Sequence, residues 1–187
     1  MKKKGELKEN TFSKNYRGQV WVETVIYLLI AFVMMGLVLS FVKPKIEEMR
    51  DKAIIDQSLE IIKEIDNSIT TLGSAGNKRL IEIGVKKGAF TIDSTRDLIL
   101  FEMQTDFAYS ESEEPVYVGK IKTITQGENQ YSKVILERNF SEQYDLIYDG
   151  ANENKTLPKA STPYKLFIEN KGTGGTANKV VINFDIE

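Results

Sequence analysis

The sequence predicts an α+β chain in which one long N-terminal hydrophobic helix precedes a β-rich, antiparallel, sandwich-like head. Three observations carry this prediction. The stretch from Val20 to Val42 reads VWVETVIYLLIAFVMMGLVLSFV, with Glu23 as its only charge. Immediately beyond it, apolar residues recur every three or four positions as far as Leu72. After Gly73–Asn77 the pattern changes to short alternating runs separated by Gly, Asn and Asp.

The first element has the length of a membrane span. At about 1.5 Å of rise per residue it covers roughly 34 Å, against a hydrocarbon core of roughly 30 Å. Trp21 and Tyr27 stand near its start, where amphipathic rings favour the headgroup region, and Lys43 and Lys45 close its other end. A secretory signal peptide has a shorter apolar stretch with a small-residue cleavage site after it. Here the run is long and continues into more helix. Residues 1–18 carry a net charge of +4, which leaves -6 for the remainder. A basic start before an apolar run, followed by an acidic remainder, is the asymmetry of a membrane-inserted chain whose N-terminus stays in the cytoplasm, not of a nucleic-acid binder.

The second element is an amphipathic continuation of the same helix over residues 44–72. Pro44 lacks a backbone donor and is expected to kink the helix without ending it, because helical periodicity resumes at once. Ile46, Met49, Ala53, Ile55, Leu59, Ile62, Ile65, Ile69 and Leu72 form the predicted apolar face. Glu48 and Lys52 stand four apart, as do Glu60 and Glu64, so the opposite face is solvated. Gly73 and Gly76 end the pattern.

The third element, residues 73–187, contains seven strand-like segments: 79–85, 98–103, 116–125, 133–138, 146–148, 164–169 and 179–186. They predict a small antiparallel sandwich or wrapped sheet, with the helix packing on it from about Ile55. The run Gly172-Thr-Gly174-Gly175-Thr176 joins two of these segments, with no helix and no Lys-Ser/Thr pair behind it. It reads as a hairpin turn, not a phosphate loop. The acidic clusters Asp93–Asp97 and Glu111–Glu114 do not match an EF-hand and read as solvated loops. Asn139-Phe-Ser141 and Asn154-Lys-Thr156 are sequons whose placement is compatible with N-glycosylation of a surface protein.

Composition narrows the chemistry. A chain of 187 residues supplies one ordinary domain plus a helix, and it contains no Cys and no His. Thiol nucleophiles, disulfides, Cys/His zinc sites and histidine acid–base catalysis are therefore excluded. No cofactor is called for.

Just ahead of the apolar run stands Lys14-Asn-Tyr-Arg17-Gly18-Gln19, and Glu23 follows Gln19 at an interval of four. This arrangement resembles the class III signal peptide of archaeal type IV pilins and archaellins. In that family a membrane peptidase cuts after a glycine that lies between a basic leader, here carrying Lys14 and Arg17, and the hydrophobic helix. The resemblance implies a cut between Gly18 and Gln19, a leader over 1–18 and a filament-core helix over 19–43. Glu23 then becomes the fifth mature residue, where type IV pilins characteristically carry a glutamate. The chemistry of that position is simple. Cleavage frees an amine on Gln19 at the edge of an apolar segment, and burying it unpaired is costly. A carboxylate inside an apolar helix is a functional candidate that requires a partner, and the partner expected here is the Gln19 amine of a neighbouring subunit.

The resemblance covers about the first third of the chain. It implies a structural subunit of a cell-surface filament, not an enzyme, held in the cell membrane before assembly. It also implies self-association, a prepilin peptidase, a membrane platform protein and an assembly ATPase. Major pilin, minor pilin, archaellin and secretion pseudopilin remain open within the class, with adhesion preferred. The rivals are an uncleaved single-pass protein with an extracellular β binding domain, and an exported enzyme with a carboxylate-lined cleft.

Overall fold

The computed structural model describes residues 16–107, 109, 114–128, 131–174 and 178–187. Residues 1–15 of the expected leader, with Lys14, lie outside the described residues, as do Glu111 to Glu113 of the second acidic cluster and Gly175 and Thr176 of the glycine run. The chain parts into two units, Met1–Lys45 and Ile46–Glu187. One helix, α1 (Tyr16–Thr70), runs through both. It passes Pro44 without interruption, in keeping with the resumed periodicity; a proline there forfeits one helical hydrogen bond but leaves the flanking turns intact.

Among the described residues the second unit contains ten strands: β1 (Lys78–Ile83), β2 (Ala89–Asp93), β3 (Leu98–Thr105), β4 (Val116–Val118), β5 (Ile121–Glu128), β6 (Tyr131–Asn139), β7 (Tyr144–Tyr148), β8 (Lys155–Pro158), β9 (Tyr164–Thr173) and β10 (Val180–Ile186). They form a four-stranded sheet in the order β1-β9-β10-β7 and a six-stranded sheet in the order β4-β5-β6-β3-β2-β8. The α+β class holds, but the purely antiparallel expectation does not. Strands β10 and β7 pair in parallel, Val180 against Tyr144 through Phe184 against Tyr148. A parallel pair needs a long crossover. Between β7 and β10 the chain supplies one by adding β8 to the other sheet and then β9 to this one.

Three further differences have local causes. The predicted strand 116–125 is two strands, because Gly119 takes φ 64° as the first of two loop residues, where a two-residue hairpin needs a positive φ. Strand β2 escapes the pattern reading because it is five residues long and follows Lys86-Lys87-Gly88, yet it buries Phe90 and Ile92 completely or nearly so. Strand β8 is a four-residue edge strand that ends on Pro158, a residue edges tolerate.

A single apolar core draws on both sheets and on the helix. Ile55, Leu59, Ile62, Ile65 and Ile69 of α1 and Leu72 just beyond it join Phe90, Phe101, Leu136, Leu166, Ile168, Ile182 and Phe184. The covered helix face begins later than the periodicity predicts. Ile46 and Met49 are 51% and 71% exposed, and Ala53 is exposed as well. The face that reaches the core carries Asp51, Ile55, Ser58 and Ile62 instead.

Polar links fix the helix to the sheets. Arg138 on β6 donates from Nε and Nη2 to Asp66 Oδ1, both at 2.7 Å, and its guanidinium lies 4.4 Å from the centre of the Phe140 ring. Tyr109 Oη donates to Asp56 at 2.8 Å. The last carbonyls of a helix lack intrahelical partners. Asn77 Nδ2 donates to Leu72 O at 2.7 Å and Arg79 Nη2 to Thr71 O at 2.9 Å. The nearly buried Asn170 donates to Gly73 O at 2.6 Å, tying β9 to the turn after the helix.

Candidate functional site

The candidate site is the N-terminal part of α1. Every residue from Val20 to Glu47 is exposed, including Trp21 at 72% and Phe41 at 75%. Among the described residues this is the one stretch long and apolar enough to cross a membrane, with a mean hydropathy of 2.8. A helix that is hydrophobic all round is stable only where something other than water surrounds it. Burying one large apolar side chain is worth roughly 1.5–3 kcal/mol, so the uncovered segment holds a large unspent driving force for insertion or association.

Glu23 is the one charge between Val20 and Val42. Its Oε1 accepts a hydrogen bond of 2.7 Å from Tyr27 Oη, one helical turn further on. Thr24 Oγ1 returns to Val20 O at 2.9 Å. The carboxylate thus has an intrachain donor four residues away, on the side opposite Gln19 in sequence. The 23/27 spacing is the sequence signal for this bond, although the position of Tyr27 in the run reads as that of an interfacial aromatic. Arg17, Gly18 and Gln19 fall in the first turns of α1, which begins at Tyr16. Helix ends fray readily, since their first four N–H groups have no intrahelical acceptor.

The head supplies no comparable concentration of features. A cavity of about 500 Å³ is lined by Glu47, Arg50, Asp51, Lys86, Lys87 and Lys159 among others, with Lys87 Nζ 2.5 Å from Asp51 Oδ2. A second, of about 490 Å³, brings Asp97 and Asp145 together with Lys179. Burial pushes the Asp97 carboxyl up, with further upward pressure from nearby Asp145 and Asp93. Its Oδ1 nevertheless accepts the Leu146 N–H at 2.8 Å, and Asp97 itself takes φ 55° at the turn into β3. Asp145 is 3.3 Å from Lys179 Nζ.

The Asp93–Asp97 cluster is not the solvated loop its composition suggests. Asp93 is buried and accepts from Arg96 through both the backbone N–H, at 3.0 Å, and Nε, at 2.7 Å. The pairing of buried Asp93 with the exposed Arg96, together with the turn, explains the acidic spacing as local structure. The glycine run bears out the hairpin reading at its described ends. Strands β9 and β10 pair antiparallel from Val180 against Thr173, and Gly172 takes φ 86°. Both sequon asparagines are exposed. Asn139 Oδ1 accepts the Ser141 N–H at 2.8 Å, and Asn154 Oδ1 accepts from Thr95.

Comparison with protein-family models, with curated proteins and with solved structures finds no match. The chemistry of the uncovered helix therefore stands on its own residues.

Proposed function

We propose that this chain is a structural subunit of a type IV pilus-like surface filament, processed between Gly18 and Gln19 and assembled through its N-terminal helix, with adhesion as its role. The observation that supports this reading is the uncovered segment Val20–Val42 at the start of a helix whose later turns enter a β-rich core. In lipid, such a helix gains little from meeting another, because lipid tails are as apolar as its own side chains. Once withdrawn into an aqueous filament, the same Leu, Ile, Val, Met and Phe side chains must pack on each other. A membrane pool can thus store subunits, and assembly becomes strongly favourable only in the filament.

Glu23 gives the segment its register. Before cleavage its carboxylate is served by Tyr27. After cleavage the free amine of Gln19 on a neighbouring subunit becomes the stronger, oppositely charged partner, and pairing in a low-dielectric setting offsets the cost of burying both groups. The partners that follow are further copies of the chain, a prepilin peptidase, a membrane platform protein and an assembly ATPase. The head then lies outside the cell.

The deciding experiment is intact mass and N-terminal sequencing of the protein from sheared cell-surface filaments and from membranes. A chain beginning at Gln19 in the filament fraction is the expected result. A full-length chain found only in membranes overturns the proposal and favours an anchored binding domain.

A further inference from the structure

The start of the second unit gathers cations around a cavity. Arg50, Lys86, Lys87 and Lys159 line the space of about 500 Å³, and Glu47, Asp51 and Asp106 supply its carboxylates. Asp51 is buried and already paired with Lys87, 2.5 Å away, so these two leave no net charge. Arg50, Lys86 and Lys159 are exposed and, among the described residues, take part in no ion pair. Over residues 43–52 and the cavity lining together, seven basic residues stand with four acidic ones, in a chain whose residues beyond 18 carry a net charge of -6. The positive excess is local. The same stretch of α1 carries an apolar stripe that the core does not use. At about 100° per residue, Val42, Ile46, Met49 and Ala53 share a sector roughly 60° wide, with Arg50 and Lys52 on either side of it. All four are exposed, Met49 at 71%. Ala53 also lines the cavity, so stripe and cations adjoin.

We propose that this face docks on the membrane surface, with the phosphate of an anionic phospholipid seated between Arg50, Lys86 and Lys159 and with Ile46 and Met49 in the lipid boundary. The inference goes beyond the filament reading and needs only that α1 spans a bilayer. Apolar side chains bordered by Lys and Arg suit the boundary between lipid and water, where the stems lie along apolar surface and the charged heads stay in the headgroup layer. A guanidinium and two ammonium groups supply both the donors and the charge that a lipid phosphate requires. The chain cannot hold this face far from lipid. Five residues separate Val42, the last of the apolar run, from Glu47 of the cavity, a reach of at most roughly 18 Å. Basic clusters beside a span are drawn to anionic lipid by its surface potential, and salt screens that attraction.

The native sequence contains no cysteine, so single thiols can report on the face. Gln57→Cys places one in the cavity lining. Tyr117→Cys places another on β4, the edge of the six-stranded sheet opposite β8, which Lys159 follows. The full-length variants are reconstituted in nanodiscs of phosphatidylcholine alone or enriched in phosphatidylglycerol, and labelling by an uncharged, water-soluble maleimide is timed. The Gln57→Cys thiol is expected to react about fivefold more slowly in the phosphatidylglycerol discs, and high salt to restore its rate. Tyr117→Cys should react alike in both. Lys86→Glu with Lys159→Glu, added to Gln57→Cys, is expected to abolish the difference between the lipids. Equal Gln57→Cys rates in both lipids, a difference that salt leaves unchanged, or one that persists after charge reversal overturns the proposal. Protection in phosphatidylcholine discs by added inorganic phosphate assigns the cavity to a free anion, and protection on intact cells without any in phosphatidylglycerol discs assigns it to a protein partner; either overturns the docking. None of these readouts requires filaments, so the filament reading stands or falls separately on the mass of the mature chain.

Discussion

Two stretches of one helix, Val20–Val42 and Ile55–Ile69, are both rich in aliphatic residues and differ in what surrounds them. The second keeps its apolar residues on one face, and that face disappears into a core shared with two sheets. The first is apolar on every side and remains exposed throughout. A narrow stripe can be satisfied by the chain's own strands, whereas an apolar circumference needs apolar surroundings on all sides, as a membrane anchor has. The uncovered half therefore speaks about association, and the covered half about folding.

Changes at the start of the uncovered half should give the largest effects while leaving the head intact. Gly18→Leu is expected to abolish processing, so that intact-mass analysis finds the full-length chain confined to membranes; mature protein of normal size from this variant breaks the assigned cut. Glu23→Ala is expected to insert normally and to reduce filament yield about tenfold or more, measured by quantifying sheared filaments against membrane protein. Wild-type yield removes the amine pairing.

The covered half should respond in stability instead. Ile62→Ala is expected to cost about 2–5 kcal/mol in unfolding of the head, because it leaves a cavity in a core position with no exposure. Leu39→Ala, in the uncovered half, should change that same unfolding by less than about 0.5 kcal/mol. Equal losses from the two would abolish the distinction between the halves. Asp66→Ala strands the Arg138 guanidinium, whose side chain is 10% exposed, and is expected to cost about 3 kcal/mol. Gly88→Ala is expected to cost a similar amount, about 3 kcal/mol, since Gly88 holds φ 82° and an added Cβ would stand 2.3 Å from Glu102 O.

The smallest expected effect is a pH dependence. Burial and the bond to Asp56 push the Tyr109 phenol up to about 12. The neutral phenol is favoured in the folded state, so its contribution is complete below the ordinary tyrosine value near 10 and is lost as pH rises from there to about 12. Unfolding followed over that window should show a step in the native chain that Tyr109→Phe removes.

Much of the architecture was legible without coordinates because it rests on local periodicity. The apolar run, the helical spacing from Ile55 to Leu72, the break at Gly73 and most strands are written in the pattern of side chains, since burial on one face imposes a period. The candidate site was legible in the same way, as one carboxylate in an apolar run. Glu23's hydrogen bond with Tyr27 needed coordinates, because a spacing of four permits a contact without choosing it over solvent.

By itself, the sequence determined that this chain carries an apolar helical run of membrane-spanning length, joined to a β-rich domain. Tertiary structure decided where the covering starts, leaving Ile46, Met49 and Ala53 outside and admitting Asp51. It also decided the parallel pairing of β7 with β10, the insertion of β2 and β8, and the fate of Asp93 as a buried carboxylate paired with the exposed Arg96. The physical reason is common to all of them. Periodicity reports which face of an element is apolar, whereas partner, direction and extent of contact are chosen between segments far apart in the chain, where neither spacing nor composition carries a signal.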